Sequence, residues 1–249
     1  MRPPAILLHG FAGTPAVWDR VLAAWPDPAR PVAIALPGHG PAPTEAPRDW
    51  RDALDQTRAH IEAAGGAGVP VIGYSLGARL ALGLWARGDV PAAVLVSVNP
   101  GLDDALRAAR RADDAAWAAL LRDQGTAAFV ARWEAQPLFA SQRDADPAEV
   151  ARRRAARAGL DARGLAGCLE AMGLAAMPDY RDRLSAAPST VHLLVGDRDA
   201  KFRALGEALA AAAPGLRVEV VAGSGHDPTL DAPVPTAAAL ARALARVAA

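Results

Sequence analysis

The sequence predicts an α/β fold: a mostly parallel, doubly wound sheet with helices on both faces and a helical insertion. Three observations predict it. Short apolar runs alternate with stretches of helical period through residues 1–101. One of those runs leads directly into Gly73-Tyr74-Ser75-Leu76-Gly77. The alternation stops after Gly101 and resumes near Thr190. The expected division is therefore a core of residues 1–101 and 185–249 and a helical lid or cap of residues 102–184.

Ala5-Ile6-Leu7-Leu8 is continuously apolar, as in a strand buried on both faces. It runs into His9-Gly10-Phe11, where glycine lets backbone approach a ligand. From Ala16 to Trp25, Val17, Trp18, Val21, Leu22 and Trp25 recur at helical spacing. Pro31 to Leu36 reads as the second strand and ends in the turn Pro37-Gly38-His39-Gly40. Arg48 to Ala64 is helical, and Gly65-Gly66 stops it. Val69 to Ile72 is the third strand, followed by the Ser75 pentapeptide and a helix from Ala78 to Trp85. Ala92 to Val98 is the fourth strand. Strands separated by helices imply right-handed crossovers and a parallel sheet. Leu102 to Leu184 contains no strand pattern; its apolar members, among them Trp117, Phe129, Trp133 and Phe139, recur at helical period. Strands return at Thr190–Val195 and Arg217–Val221, with helices over Ala200–Ala213 and Val234–Ala249.

Bulk composition narrows the function. The chain has 249 residues, 52% of them hydrophobic, enough for one α/β domain or one domain carrying an inserted lid. Its 27 basic and 27 acidic residues cancel, which argues against general nucleic-acid binding. A single cysteine, Cys168, precludes an intramolecular disulfide, and no Cys/His spacing suggests a metal site. The opening apolar run is too short for a signal peptide, and no run reaches membrane-spanning length. The expectation is a cytoplasmic protein, with no membrane partner and an oligomeric state left open.

Strand, G-x-S-x-G, helix is the setting of a nucleophile elbow. The glycines allow a sharp turn, the serine sits at its tip, and the N–H of Leu76 opens the helix without an intrahelical acceptor. Asp199 and His226 likewise follow the ends of later strands, and those ends share one rim of a doubly wound sheet. A histidine whose tautomer is fixed by a carboxylate can take the proton of a serine hydroxyl near neutral pH. Each residue also has an ordinary reading: Ser75 as a turn residue, Asp199 as a helix N-cap, His226 as a loop histidine. Asp197 competes with Asp199, and His39 with His226; strand order and spacing favour Asp199 and His226. His60 reads as a surface residue and His192 as a structural one. The N–H groups of Phe11 and Leu76 are the candidate oxyanion donors.

Several stretches together resemble a known family. They are Leu8-His9-Gly10-Phe11, Leu36-Pro37-Gly38-His39-Gly40, Gly73 to Arg79, Asn99-Pro100-Gly101-Leu102, Trp133 with Gln136-Pro137-Leu138-Phe139-Ala140-Ser141, Gly196 through Lys201-Phe202, and Gly225-His226. The chain resembles the α/β-hydrolase superfamily. Within it, the chain resembles the menaquinone-pathway synthases that make 2-succinyl-6-hydroxy-2,4-cyclohexadiene-1-carboxylate. The segment around Gln136 and the Asp199-to-Phe202 stretch carry the narrower resemblance.

That resemblance implies a lyase that eliminates pyruvate from a small carboxylated substrate and needs no cofactor or metal. It implies Ser75 as base, activated by His226 and Asp199, with an oxyanion hole at Phe11 and Leu76. It further implies Tyr74, Arg79, Arg110, Trp133, Phe139, Arg154 and Lys201 as substrate-binding residues. Arginine suits carboxylates because its planar fork grips both oxygens. Arg110-Arg111 and Arg152-Arg153-Arg154 are runs, which equally describe a solvated helix face, and the register within each stays open. Two departures stand out: Ala78 replaces a frequent glycine, and Thr229 a frequent second histidine. The alternatives are a serine carboxylesterase or carbon–carbon bond hydrolase with Ser75 as covalent nucleophile, and a non-enzymatic ligand-binding relative.

Overall fold

The structure, a computed structural model, describes residues 2–41, 43–186 and 189–247. Six strands form one parallel sheet: β1 (Ile6–Leu8), β2 (Val32–Ile34), β3 (Val71–Tyr74), β4 (Ala93–Val96), β5 (Val191–Gly196) and β6 (Arg217–Val221). Their order is β2-β1-β3-β4-β5-β6. Register aligns Leu8 with Gly73 and Tyr74 with Val96, so the strands end together at one rim.

Alternating side chains divide the core by sheet face. Ile6, Leu8, Val71, Leu95, Val191 and Leu193 enter one cluster, packed with α2 (Trp50–Ala63), α3 (Leu76–Arg87) and α8 (Ala200–Ala212). Leu7, Ile72, Val94, Val96 and Leu194 face the other way. They pack against the 3-10 turn Pro15–Trp18, α1 (Asp19–Ala23) and α10 (Pro233–Val247). The inner strands are buried along their length, whereas the edge strands β2 and β6 are partly open. The helix expected from Ala16 to Trp25 begins as that 3-10 turn, with Pro15 in its first position.

Between β4 and β5 the described residues form no strand; the segment carries α4 (Asp104–Trp133), a 3-10 segment (Pro137–Asp144), α5 (Pro147–Ala158), α6 (Ala162–Met172) and α7 (Arg181–Ser185). Gly125 (φ 75) interrupts α4. Among the described residues aspartate side chains cap four helices: Asp49 on α2, Asp146 on α5, Asp161 on α6 and Asp199 on α8. The helical segment shares the main core, since Cys168 and Met172 of α6 and Leu184 of α7 belong to the first cluster. It also has its own cluster, in which Leu121, Phe129, Leu165 and Leu169 pack beside Phe11 and Trp133. A short helix, α9 (Pro228–Asp231), follows the last strand; its length is below what periodicity can reveal.

Candidate active site

The Ser75 turn is built by close backbone approach. A Cβ at Gly73 would stand 2.2 Å from the carbonyl oxygen of Gly77, and one at Gly77 would stand 2.4 Å from that of Leu8. No side chain fits at either place. Gly77 N–H then donates to His9 O at 3.1 Å, locking α3 onto the end of β1. Ser75 itself has φ 52 and ψ −106, a left-handed backbone that costs a non-glycine residue about 1–3 kcal/mol.

His226 Nε2 lies 3.2 Å from Ser75 Oγ, and its Nδ1 lies 3.0 Å from Asp199 Oδ2. His226 and Asp199 are buried, while Ser75 is half-buried. The other oxygen of Asp199 accepts the N–H of Phe202 at 3.2 Å, capping α8. The N-cap role and the histidine-facing role belong to the same carboxylate. Ser97 Oγ donates to His226 O at 2.9 Å. Asp197 turns away from the imidazole and binds the N–H groups of Gly223 and Ser224, each at 3.0 Å. The N–H groups of Phe11 and Leu76 have no acceptor among the described residues.

His39, the competing histidine, is elsewhere. Its ring is buried edge-on against Phe11 at 5.6 Å and His9 at 5.2 Å, and its Nδ1 lies 2.9 Å from Pro37 O. Burial pushes its pKa down to about 4. His9 accepts the N–H of Leu36 through Nε2 at 3.1 Å, which requires the neutral ring, and burial pushes it down to about 3. His60 is exposed, and His192 is buried beside Glu219 with its pKa lowered by burial.

A cavity of about 130 Å³ lies over Ser75, lined by Leu76, Arg79, Asn99, Arg110, Lys201 and His226, among others. It shares Arg110, Trp133, Leu138, Lys201 and His226 with an outer cleft of about 660 Å³. Arg79 donates to Met172 O at 2.6 Å, and burial, then the charge of Arg110, pushes its guanidinium down to about 9. It stays charged at neutral pH, and an anion beside it would be stabilised. Arg110 Nε donates to Asp114 Oδ1 at 2.9 Å. Trp133 stacks on Phe129 at 5.2 Å and meets Phe11 edge-on at 5.4 Å, joining the helical segment to the Phe11 loop. Tyr74 and Phe139 line a smaller recess with Ser75 and His226.

A family model described as the alpha/beta hydrolase family matches residues 5–239. The chain belongs to the α/β-hydrolase family. It is 34% identical over 246 residues to a 2-succinyl-6-hydroxy-2,4-cyclohexadiene-1-carboxylate synthase of Klebsiella pneumoniae, covering 98% of this chain and 94% of that protein. A relative of the same name from Escherichia coli K12 is 33% identical, with 97% and 94% covered. Among solved structures, MenH from S. aureus superposes with a TM-score of 0.89 at 24% identity, covering 98% of this chain and 94% of that one. The chain is thus an enzyme of the α/β-hydrolase fold and a homologue of these synthases.

Within this α/β-hydrolase, one residue expected at the site lies outside it. Arg154 is 60% exposed, donates to Glu134 Oε2 at 2.7 Å, and lines neither cavity nor the recess. Arg157, one turn further along α5, takes the other oxygen of Glu134 at 2.8 Å and lines the recess with Tyr74 and Ser75. Arg154 and Arg157 lie three residues apart, nearly one helical turn, so they share a face of α5 and differ by about 4.5 Å along its axis. Thr229 accepts Arg153 Nη1 at 2.9 Å and donates to Asp227, so it belongs to a buried polar network below the His226 loop.

Proposed function

We propose that this α/β-hydrolase is a lyase. It converts 2-succinyl-5-enolpyruvyl-6-hydroxy-3-cyclohexene-1-carboxylate to 2-succinyl-6-hydroxy-2,4-cyclohexadiene-1-carboxylate and pyruvate in menaquinone biosynthesis. The observation that carries this reading is sequence identity of 34% across 98% of the chain to a synthase of that product. The cationic lining of the Ser75 cavity supports it, since a substrate with several carboxylates needs several cations and a neutral ester needs none.

In this reading Asp199 holds the Nδ1–H tautomer of His226, and Nε2 takes the proton of Ser75 Oγ. The serine oxygen removes the ring proton next to the succinyl carbonyl. The electron pair of that C–H bond enters the ring as a new double bond, by way of an enolate whose oxygen faces the N–H groups of Leu76 and Phe11. The existing ring double bond shifts by one position and the carbon–oxygen bond to the enolpyruvyl group breaks. The leaving enolate takes up a proton to become pyruvate. Arg79, Arg110 and Lys201 bind the carboxylates, and the helical segment covers the site. A coupled pyruvate-release assay with the enolpyruvyl substrate tests the reading: turnover that depends on Ser75 is expected, and its absence overturns the assignment.

A second reading is a serine hydrolase with Ser75 as covalent nucleophile. The N–H groups of Phe11 and Leu76, without an acceptor among the described residues, fit it as well, because they suit a tetrahedral oxyanion as much as an enolate. A pre-steady-state burst with nitrophenyl acetate, without pyruvate release from the pathway substrate, would select it.

A further inference from the structure

The loop carrying His226 is anchored chiefly by the sheet. Asp197 and Arg198, at the end of β5, bind its first residues, and Ser97, at the end of β4, holds the carbonyl of His226. The residue before His226 is held differently. Gly225 N–H donates to Asp231 Oδ2 at 2.7 Å, and the same oxygen accepts the hydroxyl of Ser141, also at 2.7 Å. Asp231 ends α9, whereas Ser141 lies in the 3-10 segment Pro137–Asp144 of the helical insertion. One carboxylate oxygen therefore ties the insertion to the Ser224–Gly225 peptide, just ahead of His226.

The fit at this point is tight. A Cβ on Gly225 would stand 2.3 Å from Ser141 Oγ and 2.7 Å from its Cβ, so glycine is required for the segment to seat. Phe139, two residues earlier, meets the His226 ring edge-on at 6.2 Å. The same short segment thus touches both the imidazole and its backbone mount.

We infer that Ser141 and Asp231 are positioning residues that set the Ser75–His226 spacing by fixing the Ser224–Gly225 peptide, one residue ahead of His226. Ser97 holds the peptide after His226, and Asp231 holds the Ser224–Gly225 peptide, one unit ahead of it; together they bracket the backbone that aims the imidazole. Seating of the helical segment and alignment of the imidazole are then one event. The inference rests on Ser75 and His226 acting together, and it does not depend on which substrate they serve.

The test compares Ser141→Ala, Asp231→Ala and Asp231→Asn for pyruvate release and for the rate at which a fluorophosphonate labels Ser75. Ser141→Ala and Asp231→Ala should lower kcat by about tenfold or more, the scale expected of a displaced catalytic group. KM should change far less than kcat, because Arg79, Arg110 and Lys201 stay in place even though Ser141 lines the rim of the outer cleft. Labelling should slow in parallel. Asp231→Asn keeps one acceptor oxygen for both donors and should stay near wild type. Slowed labelling in a protein that releases no pyruvate would uphold this inference and overturn the lyase reading. A folded Ser141→Ala with wild-type kcat and labelling would overturn the inference, as would a loss confined to KM or an Asp231→Asn as impaired as Asp231→Ala. If Asp231→Ala fails to fold, Ser141→Ala alone decides.

Discussion

Ser75 Oγ and His226 Nε2 stand 3.2 Å apart although 151 residues separate them in the chain. The parallel sheet brings both to one rim. With Asp199 on the far side of the imidazole, they form one proton-transfer unit. Ser75→Ala or His226→Gln should lower kcat by at least about a thousandfold in either the lyase or the hydrolase reading. Steady-state kinetics on variants with unchanged thermal midpoints would check this. Near-wild-type turnover in either variant would exclude the unit.

Arg157 and Arg154 share the two oxygens of Glu134, but only Arg157 lines the recess beside Ser75. Arg157→Lys should raise KM for a carboxylated substrate several-fold, because an ammonium cannot replace a two-point guanidinium grip while holding Glu134. Arg154→Ala, at a side chain 60% exposed, should leave KM near wild type. Measuring KM in both variants separates the two registers, and the opposite ranking would restore Arg154 to the site.

These two residues show where the sequence is readable. Strands are legible because inner strands buried on both faces are continuous apolar runs, as at Val71-Ile72 and Ala93 to Val96. The Ser75 turn is legible because only glycine tolerates a carbonyl oxygen 2.2–2.4 Å from a Cβ position. The arginines of α5 are not. Arg152, Arg153, Arg154 and Arg157 present a cation on nearly every side of an alanine-rich helix. The face turned inward is settled by distant partners: Glu134 for Arg157, and Asp227 and Thr229 for Arg153. Asp199 posed a choice between N-cap and histidine partner that the structure does not force, since its two oxygens serve both.

Arg153 is the buried member of that run. It is 3% exposed and donates to Glu149, Asp227, Thr229 and the carbonyls of Val17 and Thr229. Asp227, its partner at 3.1 Å, immediately follows His226. Arg153→Ala would leave Asp227 buried without its cation, a loss on the order of 3–5 kcal/mol. Chemical denaturation should show that decrease. A change within about 0.5 kcal/mol, the range of an ordinary surface substitution, would mean the network is not a structural support.

His9 and His39 give the fold an acid-sensitive core. Burial depresses their folded pKa values to about 3 and about 4, against an ordinary 6.5. Above pH 6.5 both the folded and unfolded chains keep them neutral, and their contribution to stability is complete. As pH falls below that value the unfolded chain binds protons that the folded chain refuses, so stability declines. The decline from His39 continues to about pH 4 and that from His9 to about pH 3, where the folded forms protonate too. Each histidine can contribute a slope of at most about 1.4 kcal/mol per pH unit in that window. His39→Asn should therefore flatten the fall of the unfolding free energy between pH 6 and pH 4, whatever it costs at neutral pH, because the titrating ring is gone. Denaturation curves across that range read the slope directly, and an unchanged slope in the variant would place the acid sensitivity elsewhere.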